Sequence, residues 1–122
     1  MLINLSNHSL ESWSAVQKKA ATVYGETIDL PFPNIDPWWS DEEIAQLADA
    51  YEEKVLQLFE IQSSSREVVH LMGEMTFCFA LLKKLQKRGI SCVASTSERV
   101  AKVDGQSKIS EFRFCRFREY PQ

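Results

Sequence analysis

Val68-Val69-His70-Leu71-Met72-Gly73-Glu74-Met75-Thr76, running straight into Phe77-Cys78-Phe79-Ala80-Leu81-Leu82-Lys83-Lys84-Leu85, decides the fold. A short Val-rich apolar run reaches Gly73, and a strongly apolar helical segment begins within a few residues. That is a strand feeding a helix through a tight turn, the unit of an α/β fold. The first N–H groups of such a helix lack partners and carry the positive end of its dipole, so they suit a phosphate or carboxylate. Gly73 lets a ligand approach the backbone. The same pattern also serves as a plain strand–helix junction, and the flanking chain has to arbitrate.

Upstream, Leu2-Ile3-Asn4-Leu5 reads as a short strand, followed by the polar Ser6-Asn7-His8-Ser9. A helix is expected from about Trp13 to Tyr24, with Trp13, Val16, Ala20 and Tyr24 at helical spacing, a Ser14–Gln17 capping box and Gly25 as its stop. Thr27-Ile28-Asp29-Leu30 gives a second strand, closed by Pro31-Phe32-Pro33. Trp38 and Trp39 lie in an unusually apolar connector and read as a core plug over a helix end, or else as a lid or partner surface. Ser40 with Glu43 opens a helix to about Glu60, striped by Ile44, Leu47, Ala48, Tyr51, Val55, Leu58 and Phe59. A polar linker covers Gln62 to Arg66.

Downstream, the third helix stops at Lys87-Arg88-Gly89, and Ile90 to Ala94 forms a fourth strand running into Ser95-Thr96-Ser97-Glu98-Arg99. Asp104-Gly105 signals a turn, and Ile109 to Phe117 a final aromatic-rich strand. The alternation predicts an α/β domain: a small Rossmann-like, mostly parallel sheet with helices on both faces and a C-terminal β-hairpin extension.

At 122 residues the chain has the size of one domain, spanning 1–122, with 44% hydrophobic and 25% charged residues. A net charge of −3 speaks against a duplex-DNA binder but not against a small anionic ligand. Cys78, Cys92 and Cys115 show no CxxC spacing and fit buried thiols in a reducing compartment. Neither a signal peptide nor a membrane span is recognisable, so a cytoplasmic protein is expected. There is no GxGxxG, no Walker loop, no GxSxG and no metal-ligand set, so neither a cofactor nor a metal is expected.

In open α/β sheets ligands sit beyond the carboxyl ends of the strands. Those ends carry Ser6-Asn7-His8, Pro31-Phe32-Pro33, Gly73-Glu74-Met75-Thr76 and Ser95 to Arg99, and this convergence is the main functional signal. His8 is a proton-transfer candidate or a plain loop histidine. His70, inside a strand, reads as a packed and hydrogen-bonded core residue. Glu74 either complements the helix dipole or acts as a base or ribose contact. Thr76 is equally a helix cap or a phosphate ligand. Arg99 suits a bidentate phosphate clamp, with a hairpin ion pair to Glu98 or Glu111 as its rival. Arg113, Arg116 and Arg118 make a basic edge best read as a solvated strand face.

With the strand–Met72-Gly73-Glu74-Met75-Thr76–helix unit and Ser95-Thr96-Ser97-Glu98-Arg99 both placed, the chain resembles a minimal CRISPR-associated Rossmann-fold (CARF) domain. In size it is similar to the small stand-alone ring nucleases of that group. The resemblance implies a role in antiviral defence, with a cyclic oligoadenylate bound across a homodimer by strand-end loops and helix N-termini. It also implies metal-independent cleavage by attack of a ribose 2′-hydroxyl on the adjacent phosphorus. Gly73, Glu74 and Thr76 match the loop that opens a helix, and Thr96, Ser97 and Arg99 match loosely the hydroxyl-plus-basic segment. On this reading His8, Arg99 and Glu74 carry the chemistry, while Ser6, Asn7, Gly73, Met75, Thr76, Ser95, Thr96 and Ser97 hold the ligand. Glu74 departs from the pattern, because a carboxylate there repels phosphate and suits a ribose or adenine contact better. Two rivals remain: a non-catalytic nucleotide-sensing or interaction module forming a homodimer, and an enzyme for another small anionic metabolite.

Overall fold

The computed structural model describes residues 1–62 and 66–122. Its elements are β1 (Leu2–Ser6), α1 (Ala15–Ala21), β2 (Thr27–Asp29), α2 (Asp41–Gln62), β3 (Val68–Met72), α3 (Met75–Lys87), β4 (Ser91–Asp104) and β5 (Ser107–Glu119). One sheet runs β2-β1-β3-β4-β5. The first four strands are parallel neighbours, and β5 returns antiparallel to β4. The fold is thus mixed α/β with a mostly parallel sheet and a C-terminal hairpin. Residues 63–65, within the expected polar linker, lie outside the described residues.

Alternation along the strands assigns the two faces. Ile3, Leu5, Val69, Leu71 and Cys92 join Ile44, Ala48, Val55 and Phe59 of α2 and Phe77, Cys78, Leu81 and Leu85 of α3 in the larger core. Leu2, Val68, Val93 and Phe117 form the smaller core with Trp13 and Ala21. The Ser40–Glu43 box is reciprocal, with Glu43 N–H donating to Ser40 Oγ at 3.2 Å and Ser40 N–H to Glu43 Oε1 at 3.4 Å.

Three local expectations need correction. The first helix is short: a 3-10 turn at Leu10–Ser12 precedes it and another at Thr22–Tyr24 follows it. Of the expected stripe only Val16 is exposed: Trp13, just ahead of α1, is buried, Ala20 and Tyr24 pack against the smaller core, and Ala21 is buried beside them. Trp38 is 91% exposed and plugs nothing; the turn there is made by Trp38 N–H donating to Asp36 Oδ1 at 2.8 Å. Cys78 and Cys92 are buried thiols, pushed up to about 12 by desolvation, but Cys115 is exposed on β5.

The largest difference is at β4. Residues 91–93 pair with β3, and the strand then continues through Ser95–Arg99 against β5 instead of ending in a loop. An antiparallel partner reached through the Asp104-Gly105 turn satisfies the backbone groups that β3 no longer reaches. The pairing shifts register between Thr96 and Ser97, where Thr96 Oγ1 accepts from Arg116 N–H at 3.2 Å and donates to Arg116 O at 3.0 Å. Among the described residues no helix is long and apolar enough to cross a membrane.

Candidate functional site

Side chains at positions 4, 70 and 95 stand on the α1 face of three neighbouring strands, and they are joined by hydrogen bonds. Asn4, on β1, donates through Nδ2 to Asp29 Oδ1 at 2.8 Å and to the His8 carbonyl at 2.9 Å. Two oxygen acceptors on that side fix the amide, so Oδ1 faces the other way, receiving Ser6 Oγ–H at 2.8 Å and His70 Nδ1 at 2.8 Å. Because Oδ1 can only accept, Nδ1 carries the His70 proton. Nε2 is then the acceptor, and Ser95 Oγ–H donates to it at 2.6 Å. Gln17 Nε2 of α1 donates to the same Ser95 oxygen at 3.0 Å.

Burial holds the neutral form of this ring. Desolvation, assisted by the nearby His8, lowers the His70 pKa from 6.5 to about 4. Trp13 and Phe117 stand edge-on to it, with ring centroids at 5.2 and 5.5 Å. The row of polar groups opens at Ser95 into a cleft of about 330 Å³, bordered also by His8, Gln17, Thr96, Ser97 and Phe114. A second cleft of about 430 Å³ lies between the ends of β1 and β2, lined among others by Ser6, Asn7, Asp29 and Phe32.

A model of the uncharacterized protein MJ1673 family matches residues 1–118, which include every residue of both clefts. The chain belongs to that family. No curated protein and no solved structure matches it.

In this MJ1673-family chain the expected site residues divide into groups. Ser6 is buried and holds Asn4 and the His8 carbonyl, while Asn7 and His8 are exposed at the β1 end. Ser95, Thr96 and Ser97 share the smaller cleft with His8. Gly73 has another neighbour: a Cβ there would stand 2.3 Å from Cζ of Phe32, so the missing side chain makes room for that ring. Glu74 is the N-cap of α3, accepting from Thr76 N–H at 3.1 Å and from Phe77 N–H at 2.8 Å. These bonds, with that from Thr76 Oγ1, hold the Glu74 pKa below the usual carboxylate range although the desolvation acting on it opposes them. The helix start therefore already holds an anion, and Thr76 serves the cap.

Met75 is exposed on the other side, near a third, apolar cleft of about 260 Å³ with Cys78, Phe79 and Tyr120. Arg99 lies out on the hairpin, donating from Nε and Nη2 to Ser110 Oγ at 3.0 and 2.8 Å. Neither Glu98 nor Glu111 is its partner; Glu111 pairs with Lys102 and Arg113. Arg99 borders neither polar cleft. Among the described residues no three His, Cys, Asp or Glu side chains gather as a metal site.

Sequence reasoning missed Asn4 and Gln17; it took His70 as a packed, hydrogen-bonded core residue, as found, but not its partners. The available signal was polarity at position 4 inside an otherwise apolar strand, matched by polarity at position 70 in the neighbouring one.

Proposed function

We propose that this protein binds a cyclic oligoadenylate, or another small nucleotide, at the carboxyl edge of its sheet as a cytoplasmic homodimer, in the manner of CARF-like ring nucleases. The observation that carries the reading is the gathering of His8, Ser95, Thr96 and Ser97 around one cleft, with Ser6 and Asn7 bordering the next. Hydroxyl, amide and imidazole groups of this kind read ribose hydroxyls and base edges. Cleavage, where it occurs, is metal-independent, with His8 as the proton-transfer group and the ligand held for in-line attack of its 2′-oxygen.

The placement of Glu74 and Arg99 favours the sensing variant of this reading. Glu74 fills the helix start that a phosphate would otherwise use, and the Arg99 guanidinium is engaged on the hairpin. Incubation with labelled cyclic oligoadenylates of several ring sizes, with and without EDTA, tests the proposal. EDTA-resistant turnover supports the nuclease, and stoichiometric binding without product supports the sensor. Absence of any thermal shift or binding with these rings and with mononucleotides refutes both.

A further inference from the structure

The row of hydrogen bonds under the smaller cleft has a polarity that nucleotide binding does not call for. We propose that Ser95, His70 and Asn4 form a nucleophilic relay in which the Ser95 hydroxyl attacks the carbonyl carbon of a small uncharged ester.

A hydroxyl becomes a useful nucleophile when a neutral base holds its proton and a third group holds the base. Each part is present. Ser95 Oγ–H points at His70 Nε2 at 2.6 Å, and the opposite nitrogen, Nδ1–H, is fixed on Asn4 Oδ1 at 2.8 Å. Asn4 itself cannot rotate without losing Asp29 and the His8 carbonyl. Of the two lone pairs on Ser95 Oγ, one accepts from Gln17, and the other remains for the cleft that Ser95 borders. A polar network serving only the core would end on a buried acceptor, whereas this one ends on a partly exposed hydroxyl. Trp13 borders the same cleft, and its Nε1–H is a buried side-chain donor without a partner, the only such atom among the described residues.

The lining also sets the substrate class. No Asp, Glu, Lys or Arg borders this cleft, while Trp13, Met72, Phe112 and Phe114 do. Such walls suit an uncharged acyl group. In the first step the Oγ–carbon bond forms as the Ser95 proton passes to Nε2. The ester C–O bond then breaks, and the alcohol leaves with that proton. Water next attacks the acyl-serine and gives a proton to His70, which returns it to Ser95 Oγ as the acid departs. Asn4 is the positioning residue.

The test needs no knowledge of the natural ester, and its result is independent of nucleotide binding. The full chain is treated with an alkyl fluorophosphonate, and the adduct is mapped by peptide mass; p-nitrophenyl acetate then gives the burst of p-nitrophenolate. We expect one equivalent of label on Ser95 and one equivalent of burst, neither in Ser95→Ala, and both in Ser107→Ala, at an exposed serine of the hairpin that borders neither polar cleft. His70→Gln slows labelling roughly a hundredfold or more. Asn4→Ala, which leaves Nδ1–H without its acceptor, slows it too, lowering kcat for p-nitrophenyl acetate with KM unchanged. The folded parent chain decides the matter even where a variant fails to fold: no label on Ser95, or label only on other residues, overturns the relay. Equal labelling rates in the parent and a folded His70→Gln overturn it as well.

Discussion

Asn4 shows how a single residue can be decisive and still be hard to read. In Leu2-Ile3-Asn4-Leu5 it looks like an interruption of an apolar strand, because its partner His70 is 66 positions away. Burial of His70 was legible from its strand, but its direction of hydrogen bonding was not. That burial makes a pH prediction. The folded chain holds His70 neutral to about 4, while the unfolded chain takes up the proton near 6.5. Stability from this group is therefore complete above about pH 6.5 and is lost as the pH falls toward 4, by about 3 kcal/mol in all. Urea titrations of the parent and His70→Gln across that range should diverge in slope; parallel curves would assign the acid loss to other groups. At Gly73 the prediction is steric. Gly73→Ala must displace the Phe32 ring, which packs edge-on to Phe77 with centroids at 5.3 Å, so a loss of about 1–3 kcal/mol is expected from melting curves.

Among the elements, α3 was the most legible and the outer half of β4 the least. A 3.6-residue period over Phe77, Leu81 and Leu85 can face only one way, and all three are fully buried. Leu81→Ala should cost about 2–5 kcal/mol in chemical denaturation. Removing the cap by Glu74→Ala should cost about 1 kcal/mol, and a neutral ligand's affinity should not change with it. The hairpin and its Asp104-Gly105 turn were foreseen, but the extension of β4 through Ser95-Thr96-Ser97 was not, because that run has the composition of a loop and only a partner strand makes it extended. Its ladder also explains Arg99, whose bonds to Ser110 are solvent-exposed. Arg99→Ala should move stability by no more than about 0.5 kcal/mol. A sharp loss of nucleotide binding in that variant would bring the hairpin back into the site.

For the whole molecule, alternation of strands and helices was enough to foresee a mostly parallel sheet, and β1 lies inside it between β2 and β3. The two faces are unequally covered: α2 and α3 share one, and α1 with its flanking turns covers the other. Met75 and Phe79 remain 81% and 62% exposed on α3, the side on which the proposed homodimer would meet. Phe79→Glu should therefore shift a sedimenting dimer to monomer, and a parent chain that sediments as monomer with and without ligand would remove the dimer. The register shift at Thr96/Ser97 has a consequence of its own. On one side of it β4 belongs to a sheet backed by two cores; on the other, beyond Phe114, which still packs on the smaller core, the side chains of β4 and β5 are mostly exposed. Opening of the outer ladder exposes little apolar surface, so it can proceed while the rest stays closed. Amide hydrogen exchange should therefore change abruptly at that bulge: slow at Cys92 and Val93, fast from Glu98 to Ser110, with the two regions trading protons on separate clocks.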